Sequence, residues 1–314
     1  MNLKDTYKKQ GGKKLLRQYW KSGAFWTAVA QFFILGKTRT ALEILRLSAT
    51  FKTKNKLAKK YKKTLESFDK SFSENDNNQR PCNKVWFCWL QGIDNAPSLV
   101  KQCYESLTCN LDREIVVLTK DNFSEYVTFP DYILKKYKKG IITETHFSDL
   151  LRLALLTEYG GTWIDATVFC TRKERDIPKF FFNSDLFMYQ NLKPGRDGHS
   201  TYISSWFITA KPNNKILCAT KELLYKYWER ENYLIDYFLL HIFMSICIDY
   251  YDKEWSKVVP IDNSLPHILM LSNNTTDDVI ENTINSTPFH KINRKTITPQ
   301  LEQLLQKISE KNNA

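Results

Sequence analysis

The stretch ETHFSDLLRLALLTEYGGTWIDATVF, residues 144–169, decides how this chain is read. Leu150, Leu151, Leu153, Leu155 and Leu156 crowd its first part, which has no Pro or Gly and predicts a buried helix. Asp149 and Arg152 stand three residues apart on that helix and share a face. Gly160-Gly161 fit the helix end, where a positive φ is wanted. The apolar run TWIDATVF (162–169) then predicts a strand. Asp165 lies inside that run, between Ile164 and Ala166, where an unpartnered carboxylate is costly.

Taken singly, an Asp-Arg pair is what many helix surfaces carry, and a Gly pair is what many helices end on. Together they aim two carboxylates and a guanidinium at one small volume. Such a cluster suits a ribose, a diphosphate and a divalent cation, the parts of a sugar nucleotide. Asp165, at a strand end facing a crevice, could ligate Mn²⁺ or Mg²⁺, which prefer oxygen donors. Thr167, two residues on and on the same side of a strand, could add a hydroxyl.

Outward from this block, KVWFCWL (84–90) and REIVVLT (113–119) read as strands. Between them PSLVKQCYESL (97–107) reads as a helix with Pro in its first turn. Strand, helix, strand predicts a βαβ unit in a parallel sheet. DLFMYQ (185–190) and YISSWFITA (202–210) are further strands, and helices are predicted near 213–230 and 232–249. Residues 1–70 alternate Lys and Arg with Leu, Phe, Trp and Tyr, contain no Pro, and read as helical. The polar run SFSENDNNQRP (71–81) marks a boundary. The expected organisation is a basic helical segment over 1–80, an α/β domain over 81–300 and a C-terminal tail over 301–314.

With 314 residues, 42% of them hydrophobic, the chain can bury a large core, which excludes global disorder. Its seven cysteines form no C-x-x-C pair, so neither a disulfide framework nor a zinc site is read. Charge is uneven: residues 1–80 hold 19 Lys/Arg and 6 Asp/Glu, whereas the remainder is nearly neutral. The apolar stretch AFWTAVAQFFILG (24–36) is too short to span a bilayer, and no signal peptide is read. A basic helical segment with aromatics fits three roles: lying on an anionic membrane, binding nucleic acid, or packing as a solvated hairpin. Membrane docking is the expectation, since no nucleic-acid module is present.

The block from Lys84 to Phe169 resembles the DXD-containing glycosyltransferases of the GT32 type, especially their bacterial capsular-polysaccharide-synthesis members. The matching pieces are VWFCWLQG with Pro97 after it, Cys103-Tyr104-Glu105-Ser106, and SDLLRLALLTEYGGTWIDAT. The resemblance spans roughly residues 84–295 and extends to the helix-to-strand spacing of large clostridial glucosylating toxins. It implies a GT-A fold, a Rossmann-like α/β sheet with the donor at the carboxyl edge of its strands.

It implies that Asp149 and Arg152 contact the sugar and ribose-phosphate side of the donor, with Gly161 beside it. It implies Asp165 as a ligand of Mn²⁺ or Mg²⁺, and it places Trp89 or Gln91 near the base. One departure stands out: the second Asp of the family motif is Thr167 here. His290 with Lys291, or Lys295, in STPFHKINRK (286–295) would then close the site, the His on the metal and the Lys on the diphosphate. His241 on an apolar helix reads as a core residue. Trp206 reads as core or as a sugar platform. Asp236 reads as facing the acceptor or as capping structure.

The implied activity is retaining transfer of a hexosyl group from a nucleotide-diphosphate sugar, with a UDP-sugar favoured. The implied acceptor is a lipid-linked oligosaccharide in capsule synthesis, at the cytoplasmic face of the cell membrane. The rival readings are a toxin-like protein glycosyltransferase and a degenerate GT-A domain acting as a membrane scaffold.

Overall fold

A computed structural model describes residues 12–73, 81–191, 203–272 and 275–313. Residues 1–11 and most of the boundary read at 71–81 lie outside the described residues.

The basic quarter is helical as its pattern predicts: α1 (Gly12–Ser22), α2 (Phe25–Leu35) and α3 (Arg39–Ser71). Thr38 caps α3 by accepting a hydrogen bond from the Ala41 amide. This long helix is no appendage. Leu57, Tyr61 and Leu65 are buried in the main core, and the Tyr61 ring meets Phe243 edge-on at 5.2 Å. The chain then forms β1 (Lys84–Cys88), α4 (Ser98–Asn110), β2 (Glu114–Leu118), α5 (Asp131–Lys138), α6 (Glu144–Glu158) and β3 (Gly161–Ile164). After these come β4 (Val168–Cys170), β5 (Leu186–Gln190), β6 (Ile203–Ala210), α7 (Lys215–Arg230) and α8 (Leu239–Tyr250). Last are α9 (Asp277–Ile284), β7 (Phe289–Lys291) and α10 (Pro299–Asn313).

Five strands make one sheet in the order β2-β1-β3-β6-β5. β1 is parallel to both β2 and β3, which confirms the predicted βαβ unit, and β6 runs against its neighbours β3 and β5. Side chains alternate across the sheet and fill two layers. Trp86, Trp163, Met188 and Ile208 enter a core shared with α6, α7, α8 and α3. Val85, Phe87, Ile164, Phe187 and Phe207 enter the other, with Val100 and Leu107 of α4. The result is the Rossmann-like mixed α/β architecture expected from the sequence. From β1 the chain moves to β2 on one side, then returns past β1 to β3 on the other. The carboxyl ends of β1 and β3 therefore flank a reversal of strand order, where open α/β sheets hold ligands.

Two expectations are corrected. The strand predicted over 162–169 splits in two. The Asp165 amide still donates to the Trp206 carbonyl at 2.8 Å, but Val168 then donates back to the Asp165 carbonyl at 3.1 Å, turning the chain at Ala166 and Thr167. β4 leaves the main sheet and pairs antiparallel with β7. Residues 301–313 of the expected tail instead belong to α10, with Leu301 and Leu305 buried beside Leu99, Cys103 and Phe169.

Candidate active site

Asp165 is the centre of the cluster. It sits where β3 ends, on the carboxyl edge of the parallel strands. Its Oδ1 accepts from Trp163 Nε1 at 2.9 Å and from Arg152 Nη2 at 3.3 Å. Its Oδ2 accepts from Lys291 Nζ at 2.7 Å. Burial alone would raise the Asp165 pKa. Lys291, Arg152 and the Trp163 donor outweigh it and hold the group down at about 2.

Arg152 comes from the buried face of α6, whose start is capped by Thr143. Its Nη1 donates to the Ser205 carbonyl at 2.7 Å, and its guanidinium lies over the Trp163 ring at 4.8 Å from the centroid. Its Nε has no protein partner among the described residues. Asp149, one turn earlier, is 3.5 Å from Arg152 Nη2. Burial pushes its pKa up, against the pull of Arg152. The helix-to-strand block thus brings Asp149, Arg152 and Asp165 into one ionic cluster, as its spacing predicts.

Lys291 is fixed there by β7. Val168 stands opposite Lys291 in the β4–β7 pair, and the Ile292 amide donates to the Thr167 carbonyl at 2.8 Å. Lys291 Nζ lies 2.9 Å from Thr167 Oγ1 as well as 2.7 Å from Asp165. Thr167 therefore does face the same way as Asp165, but through a turn rather than along a strand.

His290 does not join the cluster. Neighbouring residues of a strand point to opposite faces, and Lys291 takes the site side. His290 is fully buried, with Nε2 on the Ile284 carbonyl at 3.0 Å. Gly161 is corrected too. It opens β3 beside Lys84, at the amino end of the parallel strands and four residues from Asp165. A Cβ there would stand 2.7 Å from the Lys84 carbonyl oxygen, and its φ of 89° suits glycine, so its role is close backbone packing.

Trp89 follows β1 on the site edge, and its indole N–H is buried with no protein partner among the described residues. The guanidinium of Arg294, which no sequence pattern singled out, lies 5.7 Å from the Trp89 ring centroid. Lys295 is exposed, and its amide binds the Asn293 side chain. Gln91 is exposed and donates to Glu144 at 3.2 Å. Trp206 stacks on Tyr189 at 4.5 Å and donates to Asn263, so it packs within the protein. Asp236 accepts from Thr50 and from the Phe238 amide, which makes it a turn residue and explains why the helix predicted from 232 starts only at Leu239. His241, the expected core histidine, is half-buried on α8, and its Nδ1 finds no partner among the described residues. Burial first, then the Arg152 charge, lowers its pKa to about 4. It is neutral at pH 7 and feels the charges of Arg152 and Asp165.

The donor set does not fit a resident divalent cation. Among the described residues no three His, Cys, Asp or Glu side chains are grouped to hold one. Of the expected ligands, His290 faces away. Asp165 and Thr167 already converge on one ammonium, and the guanidinium of Arg152 stands on the other side. A divalent ion placed among these oxygens would meet two positive charges.

The fold and the site define an open α/β protein with an ionic, tryptophan-lined cluster on the carboxyl edge of its parallel strands. The profile of the capsular polysaccharide synthesis protein family matches residues 39–311, and the chain belongs to that family. Among curated proteins, the O-glycosyltransferase braB of Annulohypoxylon truncatum is 29% identical over 162 residues, 46% of this chain and 37% of that protein. The O-glycosyltransferase PaGT of Phomopsis amygdali is 26% identical over 143 residues, 40% of this chain and 34% of that protein. The chain thus spans about a third of the length of these relatives. Among solved structures, the PaToxG glycosyltransferase aligns over 83% of this chain and 96% of its own at 12% identity, with a TM-score of 0.39.

Proposed function

We propose that the protein is a retaining glycosyltransferase of the GT32 type that moves a hexosyl group from a UDP-sugar to a lipid-linked oligosaccharide in capsule synthesis. The observation that carries this reading is the Asp149–Arg152–Asp165–Lys291 cluster on the carboxyl edge of the sheet. Two fixed cations suit a diphosphate, and two carboxylates suit sugar and ribose hydroxyls. Membership of the capsular polysaccharide synthesis family and the O-glycosyltransferase names of the two relatives support it.

In the transfer, the acceptor hydroxyl oxygen bonds the anomeric carbon. The bond from that carbon to the β-phosphate oxygen breaks and its electron pair leaves with the nucleoside diphosphate, which also takes the acceptor proton. Arg152 and Lys291 hold the charge that develops on the departing oxygens. Asp165 orients both cations. Asp149 accepts hydrogen bonds from the sugar, and the Trp89 indole packs near the base. Cys88, at the end of β1, stays a thiol, because burial pushes its pKa up to about 12.

The N-terminal helices favour an anionic membrane as the place of action, at the cytoplasmic face. Trp26, Phe33 and Ile34 of α2 are 71%, 80% and 79% exposed on one helical face, and Trp20 of α1 is 63% exposed. Such an unpaired apolar patch marks an interaction surface, and the lysines around it suit acidic headgroups. The test of the catalytic reading is nucleotide release from UDP- and GDP-hexoses with a lipid-linked acceptor. Release of one nucleotide, dependent on Asp149, supports it; no release from any donor refutes it.

A further inference from the structure

We infer that the Lys291 ammonium serves as this enzyme's cation for the donor diphosphate, so that the site binds a nucleoside diphosphate without a divalent metal. This rests on reading the cluster as a nucleotide-sugar site, and it deepens that reading.

Four observations carry it. First, Nζ of Lys291 lies 2.7 Å from Asp165 Oδ2 and 2.9 Å from Thr167 Oγ1, bridging the two oxygens that a motif cation would have to share. Second, the motif position that would carry a second carboxylate is a threonine, whose neutral hydroxyl suits an ammonium neighbour better than a divalent ion. Third, Lys291 is not on a free loop. The β4–β7 pairing and the Ile292 amide bond to Thr167 set its backbone, and its side chain is only 20% exposed. A charge held this way needs little reorganisation when the leaving group develops its own. Fourth, an ammonium has three N–H donors, and Asp165 and Thr167 take two of them. The third remains for a phosphoryl oxygen.

Asp149 and Asp165 balance Arg152 and Lys291 one for one, so the two cations are held at the end of β3 by residues of the chain itself and can donate to an incoming diphosphate from there. The site therefore exchanges a dissociable cation for one built into the chain.

The experiment is calorimetric titration of UDP and GDP into the full chain, in EDTA and in millimolar Mn²⁺. It is repeated with Lys291→Met, which keeps the length and apolar stem, and with Lys291→Arg, which keeps the charge. Manganese binding to the protein without nucleotide is followed in parallel by electron paramagnetic resonance. The expected result is one nucleotide binding with the same Kd in EDTA and Mn²⁺, and no stoichiometric Mn²⁺ site. Lys291→Met should weaken binding on the order of tenfold or more, and Lys291→Arg should restore most of it. Binding that vanishes in EDTA and returns with Mn²⁺ overturns the inference and leaves the nucleotide-sugar reading standing. Binding unchanged in Lys291→Met overturns it as well. Failure of both nucleotides under every condition overturns the inference together with the reading of the site.

Discussion

Replacing Asp165 by Asn removes the one charge that ties Arg152 to Lys291 while keeping shape and size. The wild-type carboxyl falls from its ordinary 3.8 to about 2 in the folded protein. At about 1.4 kcal/mol per pH unit that is roughly 2 kcal/mol of stability. The Asp165 side chain is 28% exposed, so solvent screens part of this, and about 1–2 kcal/mol is the working figure. Arg152, only 5% exposed, would be left with Asp149 at 3.5 Å as its carboxylate partner, which puts the total near 2 kcal/mol. The folded pKa lies below the unfolded one. The contribution is therefore complete above about pH 4 and lost as pH falls toward about 2. Denaturant midpoints read with circular dichroism between pH 7 and pH 2.5 measure it. Wild type should exceed Asp165→Asn by about 2 kcal/mol at pH 7, with the gap closing at the acid end. Equal stability at pH 7, or a gap that does not change with pH, refutes the ionic account of the cluster.

Other predictions follow from the backbone and the surface. Gly160 has a φ of 67°, and a Cβ on it would stand 2.7 Å from the Ala210 carbonyl oxygen, so Gly160→Ala should cost about 2 kcal/mol or more in a denaturant melt; a loss below about 0.5 kcal/mol would show that the turn can relax. The exposed face of α2 should hold the protein on anionic vesicles. The triple substitution Trp26→Glu, Phe33→Glu, Ile34→Glu should abolish co-sedimentation with phosphatidylglycerol liposomes while leaving the thermal midpoint unchanged, and retained sedimentation would remove this face from docking. Deleting residues 1–80 would not be an equivalent test, because Leu57, Tyr61 and Leu65 of that segment are part of the main core.

The sequence made most of the sheet legible because its strands are short apolar runs bounded by turn residues, and β1, β2, β5 and β6 all form within two residues of their expected limits. Asp149, Arg152 and Asp165 were legible for a local reason: a capped helix, two positive-φ glycines and a strand fix their relative positions within twenty residues. What escaped depends on distant pairing. Nothing in TWIDATVF shows that the chain turns at Ala166, because the apolar pattern continues and the turn is set by β7 more than a hundred residues later. Of the neighbours His290 and Lys291 only one could face Asp165, and strand register chose the lysine. The Trp163 indole bond to Asp165 had a visible signal, an aromatic donor two residues before the carboxylate. Arg294 over Trp89 had none, since it rests on a contact between segments about two hundred residues apart.

The central claim is that the cluster at the end of β3 binds a nucleoside diphosphate. Calorimetric titration of UDP, GDP and CMP into wild type and into Arg152→Ala, with circular dichroism showing the variant folded, tests it most directly. The account predicts that one diphosphate binds wild type in preference to CMP and that Arg152→Ala weakens it by at least about tenfold. Equal affinity in the folded variant, or no binding of any nucleotide to wild type, would contradict it.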